Sequence, residues 1–424
     1  MATWKAEAFQ NEYLPDGGTD VHAIVTVSCV DSGQAGSGST GGAAEIIIVD
    51  CSGSMSSPRA KIIAARKAAA AAVNALDDGT WFAVIAGVGL PQQVYPARGM
   101  VQADERTRAE ASQAVSGLTP SGGTAIGLWL TAARELFAQS PATQRHAILL
   151  TDGKNEGESA QALAESVRAA TGVFQCDCRG VGADWDVNEL RGISTALLGS
   201  VDLIANPDDM AADFEAMMRT SMGRGIADAR LKIWTPQGSQ LLFVKQVSPT
   251  IDELTDRGAA VTALITEYPT GAWGDESRDY HVAVRVAAKP VGSEQLAARV
   301  QIDVGGQIVT QALVKALWSD DSGLTTRINP AVAHYTGQAE LAGVIQEGLA
   351  ARAAGDDATA TFKLGRAAKL AAETGNDEAT SRLKKIVDIE DADNGTVRLR
   401  REVNKLDEMA LDTASTKTTR VRPT

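Results

Sequence analysis

The chain has 424 residues, of which 44% are hydrophobic and only 4% aromatic, and its 40 Lys and Arg stand against 53 Asp and Glu for a formal net charge of −13. That length exceeds one ordinary core and predicts two to four domains, packed mainly through small side chains because rings are scarce. A negative field of this size repels phosphate backbones and anionic lipid, which argues against nucleic-acid and membrane-surface binding and in favour of metal cations and basic protein surfaces.

The opening run MATWKAEAFQNEYLPDGG has no basic start followed by an apolar stretch, so it does not read as a secretion signal. No segment approaches the ~18 consecutive apolar residues of a spanning helix, and the expected setting is cytoplasmic. Residues 20–30 read as one β-strand, followed by a Gly/Ser-rich linker that ends near Gly42. The run AEIIIVD at 44–50 is short and mostly apolar, as in a central parallel strand buried on both faces. The Ala-rich stretch from Arg59 to Leu76 is helix-favouring and ends at Asp77-Asp78-Gly79. Strands at 80–89, 92–99, 145–153, 172–182 and 200–205 then alternate with helices at 104–117, 125–139, 158–171, 186–194 and 207–222. That alternation predicts a doubly wound parallel α/β sheet over 44–224. Cys176 and Cys178 point to one face of a strand; with Cys29 and Cys51 they lack a metal-ligand spacing and read as buried thiols of a reducing compartment. Met210, Met217, Met218 and Met222 recur at helical spacing and read, like Trp129, as core.

From about residue 226 period-two runs replace the helical pattern, at 229–234, 240–247, 259–268, 280–288, 298–306 and 307–318. They predict an antiparallel β-sandwich over 225–322. The strand at 20–30 needs hydrogen-bonding neighbours, so residues 1–43 are expected to complete that sandwich, with the α/β module inserted between its strands. Residues 323–412 carry Ala, Glu, Lys, Leu and Gln at helical spacing and predict a bundle of three or four helices, with the acid run Asp388, Glu390, Asp391 and Asp393 as a solvated helix end. The last run, 413–424, is expected to be disordered. Its hydroxyls on Thr413, Ser415, Thr416, Thr418 and Thr419, beside Lys417, Arg420 and Arg422, make it a candidate for phosphorylation and for reading by a phosphothreonine-binding protein; a purely solubilising tail is the alternative.

The most informative residues lie in IIIVDCSGSM. Asp50, Ser52 and Ser54 leave the end of a central parallel strand just before a helix, and in open α/β sheets ligands bind at the carboxyl ends of strands. One carboxylate and two hydroxyls are hard oxygen donors of the kind that hold Mg²⁺, or Ca²⁺ and Mn²⁺ in looser coordination. A Ser/Asp/Gly cluster ahead of a helix also reads as an N-cap with a tight turn, and so does Thr124 after Ser121-Gly122-Gly123. Asp152, directly after the apolar run AILLT, reaches the same edge of the sheet. Three loops thus bring two carboxylates and three hydroxyls to one rim.

This set resembles the metal-ion-dependent adhesion site of the von Willebrand factor A family, whose pattern is Asp-x-Ser-x-Ser, then Thr, then Asp. The likeness covers residues 44–224. It implies that Ser52, Ser54 and Thr124 coordinate a divalent ion directly or through water, while Asp50 and Asp152 neutralise it mostly through water. It further implies a bridging mode, in which a Glu or Asp of a partner protein completes the ion's shell and chelation abolishes binding. Haloacid-dehalogenase-type phosphatases share this topology but want an acid two residues after the first Asp, where Ser52 stands. His22, His281 and His334 lie outside the module, and His146 begins a strand at the opposite edge, where a surface residue is expected; no general base is apparent. The expected function is a non-enzymatic, metal-dependent adaptor or scaffold. By likeness to bacterial relatives it belongs in kinase, phosphatase and forkhead-associated signalling or in a tellurite-resistance-like system. A metal-dependent phosphohydrolase and a structural subunit of an assembly are the alternatives.

Overall fold

The apolar run at 44–50 becomes the strand Ala43–Asp50, buried along its whole length, in a computed structural model that describes residues 2–36, 42–418 and 420. Buried on both faces, it lies at the centre of the sheet. Trp81–Gly87 and Gln144–Thr151 flank it, both parallel. Gln175–Val181 and then Val201–Ile204 continue the parallel order on one side. On the other, Gln92–Tyr95 and Val101–Gln102 pair antiparallel with Trp81–Gly87, so the sheet is mixed at that edge. The Ala-rich helix Ala60–Asn74 packs one face together with Met210–Met222. Ala65, Ala68, Ala69 and Ala72 carry no side chain beyond Cβ, which lets the two helices approach closely, while Met210, Met217, Met218 and Met222 fill the remaining gaps. Asp31–Asp228 and Gly271–Asp275 form the body of this compact unit.

Residues 3–30, 229–270 and 276–424 make the second unit. Its first sheet begins with Thr3–Gln10, a strand not recognised in the sequence because TWKAEAFQ alternates between exposed and only half-buried side chains. It pairs antiparallel with Asp20–Val30, which pairs in turn with Glu276–Arg285, and the order continues through Gln240–Ser248 to Asp252–Glu253. The second sheet runs Ala259–Thr262, Ile265–Trp273, Ile226–Trp234, Glu294–Val304, Gln307–Trp318 and Tyr13–Leu14. The α/β module is therefore an insertion within a β-sandwich: strands from before it pair with strands from after it. The helix Pro330–Ala353 covers the outer face of the first sheet, where Ala331, Val332 and Tyr335 pack on Ile24 and Val247.

Asp357–Glu373, Asp377–Ile386 and Lys405–Ser415 complete the helical region around Leu341, Ile345, Leu364, Leu383 and Leu411. Two expectations are corrected here. The acid run Asp388, Glu390, Asp391 and Asp393 is not a helix end: Val387–Asp391 and Thr396–Leu399 form a β-hairpin, anchored by buried Val387 and Val397 and turned through Gly395 at φ 69°. Nor does 413–424 begin as a disordered tail. Thr413 is buried on the final helix with its hydroxyl on the Met409 carbonyl, one turn back, and Met409 and Leu411 are buried on the same helix. Ser415 donates to the Asp412 carbonyl and accepts from Gln346, the Thr416 carbonyl accepts from the Ile251 amide, and Thr418 donates to Val247. The phosphorylation reading thus loses its exposed, disordered context at these positions; Thr419 lies outside the described residues.

The clasp over the first sheet depends on Asp279, only 1% exposed, whose carboxylate accepts from Thr26 and Tyr335 at 2.5 Å each and from Arg420 at 3.2 Å. Asp279→Ala leaves those donors without their acceptor, and urea unfolding is expected to show a loss of about 3 kcal/mol; a loss under about 1 kcal/mol would show that the carboxylate is dispensable.

Candidate metal centre

Asp50 ends the central strand, and the chain beyond it is held by the neighbouring loops. The Cys51 amide donates to Gly87, the Ser121 amide donates to Cys51, and the Gly53 amide donates to Gly122. Gly122 sits at φ 67°, a region that a side chain strongly disfavours. Asp50 is fully buried: one oxygen accepts from the Ser52 amide at 2.7 Å, the other from the Thr151 hydroxyl at 2.6 Å. Ser52 Oγ lies 2.9 Å from Ser54 Oγ, which donates to Asp152 Oδ1 at 2.6 Å. Thr124 stands across Gly153 from Ser54: a Cβ at Gly153 would lie 3.5 Å from the Ser54 hydroxyl and 3.6 Å from that of Thr124. The structure brings all five sequence-selected residues to this rim.

Ser52 occupies the position before the short turn Gly53–Ser56, yet its side chain makes no cap bond. Thr124 is not the cap of Ile126–Ala138; Ala125 holds that place, and the first amides are served by Asn155 and Glu158 instead. Neither hydroxyl is engaged in helix capping. Burial pushes the Asp50 carboxyl up, against hydrogen bonds from Ser52 and Thr151, and the nearby Asp152 adds to the rise. Two buried carboxylates with three hydroxyls, of which Ser54 is exposed, form a hard-oxygen set that fits Mg²⁺, Ca²⁺ or Mn²⁺ and opens to solvent on one side. Among the described residues no group of three or more His, Cys, Asp or Glu could hold a metal; here most of the donors are hydroxyls.

Sequence reasoning missed Lys61, whose ammonium donates to Asp152 Oδ2 at 2.7 Å, Thr151, which donates to Asp50, and Asn155 and Glu158, which accept from the first amides of Ile126–Ala138. Lys61 left a signal: a cation in the first turn of a helix opposes the macrodipole and calls for an anion nearby. Position 146 needs a correction. His146 is no surface residue but is 2% exposed, with Nδ1 2.7 Å from Glu45 and Nε2 2.9 Å from Asp177. Glu45 also accepts from Ser221, and Asp177 from the Ser200 amide and hydroxyl. Burial alone would push the imidazole down, but the Glu45 charge and the bond to Asp177 outweigh it and lift it from 6.5 to about 9. Two flanking acids, far apart in sequence, bring it inside.

Residues 44–202 match the von Willebrand factor type A domain, and residues 369–415 match the von Willebrand factor type A C-terminal domain. Among solved structures the chain is similar to a von Willebrand factor type A protein from Catenulispora acidiphila, at 45% identity and a TM-score of 0.93 over 99% of this chain and 97% of that one. It shares its fold with the ArnB paralogue VWA2 from Sulfolobus acidocaldarius, at 14% identity and a TM-score of 0.57 over 98% of each chain. Comparison with curated proteins gives no match.

Because His146 is lifted to about 9 in the folded chain, its contribution to stability is complete below about pH 6.5 and fades as pH rises through that raised value. Urea unfolding from pH 6 to pH 10 is expected to show this decline in the wild type and not in His146→Gln, and the variant should cost about 3–5 kcal/mol at neutral pH by leaving two buried carboxylates without a cation. Parallel pH profiles for the two proteins would show that the imidazole is neutral.

Proposed function

The chain belongs to the von Willebrand factor type A family, and on that premise we propose that it is a metal-dependent protein-binding adaptor. Ser52, Ser54 and Thr124 hold a divalent cation, Mg²⁺ in the first instance with Ca²⁺ or Mn²⁺ as alternatives, and the buried Asp50 and Asp152 offset its charge. The cation supplies a coordination position for a Glu or Asp side chain of a partner protein. The carrying observation is that the hydroxyls of Ser52 and Thr124 are not engaged in helix capping while Asp50 and Asp152 are fully buried at the same rim. With neutral hydroxyls as the direct donors and the carboxylates offsetting the charge from behind them, an open coordination position favours an acidic ligand.

A hydrolytic reading is less well supported. Ser52 occupies the place where a phosphohydrolase of this topology needs an acid, and His146 is bound between Glu45 and Asp177 rather than facing this rim. No described helix is long and apolar enough to cross a membrane. The buried thiols of Cys51, Cys176 and Cys178 fit a reducing, cytoplasmic setting.

Titration of the full chain with Mn²⁺ is expected to give one saturable site that Asp50→Ala removes. In a pull-down from native lysate with Mg²⁺, the partner should be lost both on adding EDTA and in Asp50→Ala. If the same proteins are retained in all three lanes, this rim is not the recognition surface and the adaptor reading fails.

A further inference from the structure

We propose that Lys61 is a resident counter-charge of the metal centre, which weakens its hold on the cation and keeps the loaded site positive toward an acidic partner group. The inference rests on the reading of Asp50, Ser52, Ser54, Thr124 and Asp152 as a cation site.

Lys61 is the second residue of Ala60–Asn74 and is only 8% exposed. Nothing in the packing asks for a lysine there, since the buried positions that follow on the same helix are Ile62, Ala64 and Ala65. A buried ammonium in the first turn of a helix is opposed by both desolvation and the macrodipole. Its position is explained by its anion: Nζ lies 2.7 Å from Asp152 Oδ2, with the exposed Asp184 at 4.0 Å as a second, weaker partner. The loop at Gly182 covers the stem, where a Cβ would come within 3.9 Å of Lys61 Cε. Ser54 takes the other oxygen of Asp152, so this carboxylate is already held on both sides by the protein.

The formal charges set the consequence. Apart from the solvent-screened Asp184, two carboxylates and one ammonium give the rim a single negative charge, which a divalent cation converts to a single positive one. Without Lys61 the loaded rim would be neutral. Lys61 therefore works against cation binding and in favour of an anionic group arriving afterwards. A unit charge a few ångströms from the site, partly screened, corresponds to a change of about tenfold or more in each affinity.

Isothermal titration of the full chain with Mn²⁺, using wild type, Lys61→Met, Lys61→Arg and Asp50→Ala, tests this. Lys61→Met is expected to bind Mn²⁺ about tenfold more tightly than wild type, and Lys61→Arg to stay near wild type. Lys61→Met should also melt lower than wild type without metal and gain more in Tm when Mn²⁺ is added, because Asp152 has lost its partner. With Mn²⁺ saturating, acetate should bind about tenfold more weakly to Lys61→Met than to wild type. If Lys61→Met does not fold, Lys61→Gln carries the same expectations, since it removes the charge and keeps a donor for Asp152. Unchanged or weaker Mn²⁺ binding in the neutral variant, with wild type still binding, overturns the role of Lys61 and leaves the cation site standing. Equal acetate affinities overturn the claim about the partner group. Failure of wild type to bind Mn²⁺ above the Asp50→Ala level overturns the cation reading, and this inference with it.

Discussion

Two carboxylates that water does not reach, at the ends of neighbouring central strands, impose most of the local order in the α/β module. Asp50 closes Ala43–Asp50, and Asp152 directly follows Gln144–Thr151, its parallel neighbour. A buried carboxylate without donors costs several kcal/mol, so each draws in what the chain can offer. Asp50 takes the Ser52 amide and the Thr151 hydroxyl; Asp152 takes the Ser54 hydroxyl and the Lys61 ammonium. The tight path of the DCSGS loop and the buried Lys61 on the first helix follow from serving these two groups.

The same strands carry a second buried polar cluster at their other end, and the contrast shows why the candidate function sits where it does. Glu45, His146 and Asp177 lie near the strand starts, separated from the rim by an apolar middle such as Ile46–Val49. There the acids are closed off: His146 lies between them, Ser221 and Ser200 take further oxygens, and the adjacent Arg179 pairs with Asp213. Burial would raise Asp177, yet the bond to His146 and its charge hold that carboxyl well below its usual range. At the rim the acids are held mainly by hydroxyls and an amide: Asp50 has no cation partner, Lys61 pairs with Asp152, and Ser54 is exposed.

What could be read in the sequence was what is local. The run IIIVD, the alternation of strands and helices, and the hydroxyl and carboxylate positions of DCSGS, SGGT and LLTDG each lie within a few residues, and the doubly wound sheet inserted in a sandwich follows from them. What escaped was set by partners distant along the chain. Thr3–Gln10 looks like nothing in particular until Asp20–Val30 pairs with it. His146 looks like a strand-edge surface residue until Glu45 and Asp177 arrive from neighbouring strands, at separations of 101 and 31 residues. The final threonines look like a free tail because their hydroxyl density says nothing of the backbone of 249–251, against which Thr416 and Thr418 pair. The hairpin at 387–399 was hidden by its acids, which suggest a solvated helix end more strongly than two buried valines suggest a strand.

The choice of residue types at the rim is itself an argument about chemistry. A third acid at position 52 would bring the rim, with Lys61 and a divalent cation counted, to zero formal charge and leave little affinity for another anion. Serine there, serine again at 54 and threonine at 124 provide oxygen without charge. Lys61 moves the balance further in the same direction by pairing with Asp152. Tight metal retention alone would favour more carboxylates and no lysine. Hydroxyl donors, two buried acids and an internal ammonium together make sense for a site whose complete charge balance includes a group from another molecule.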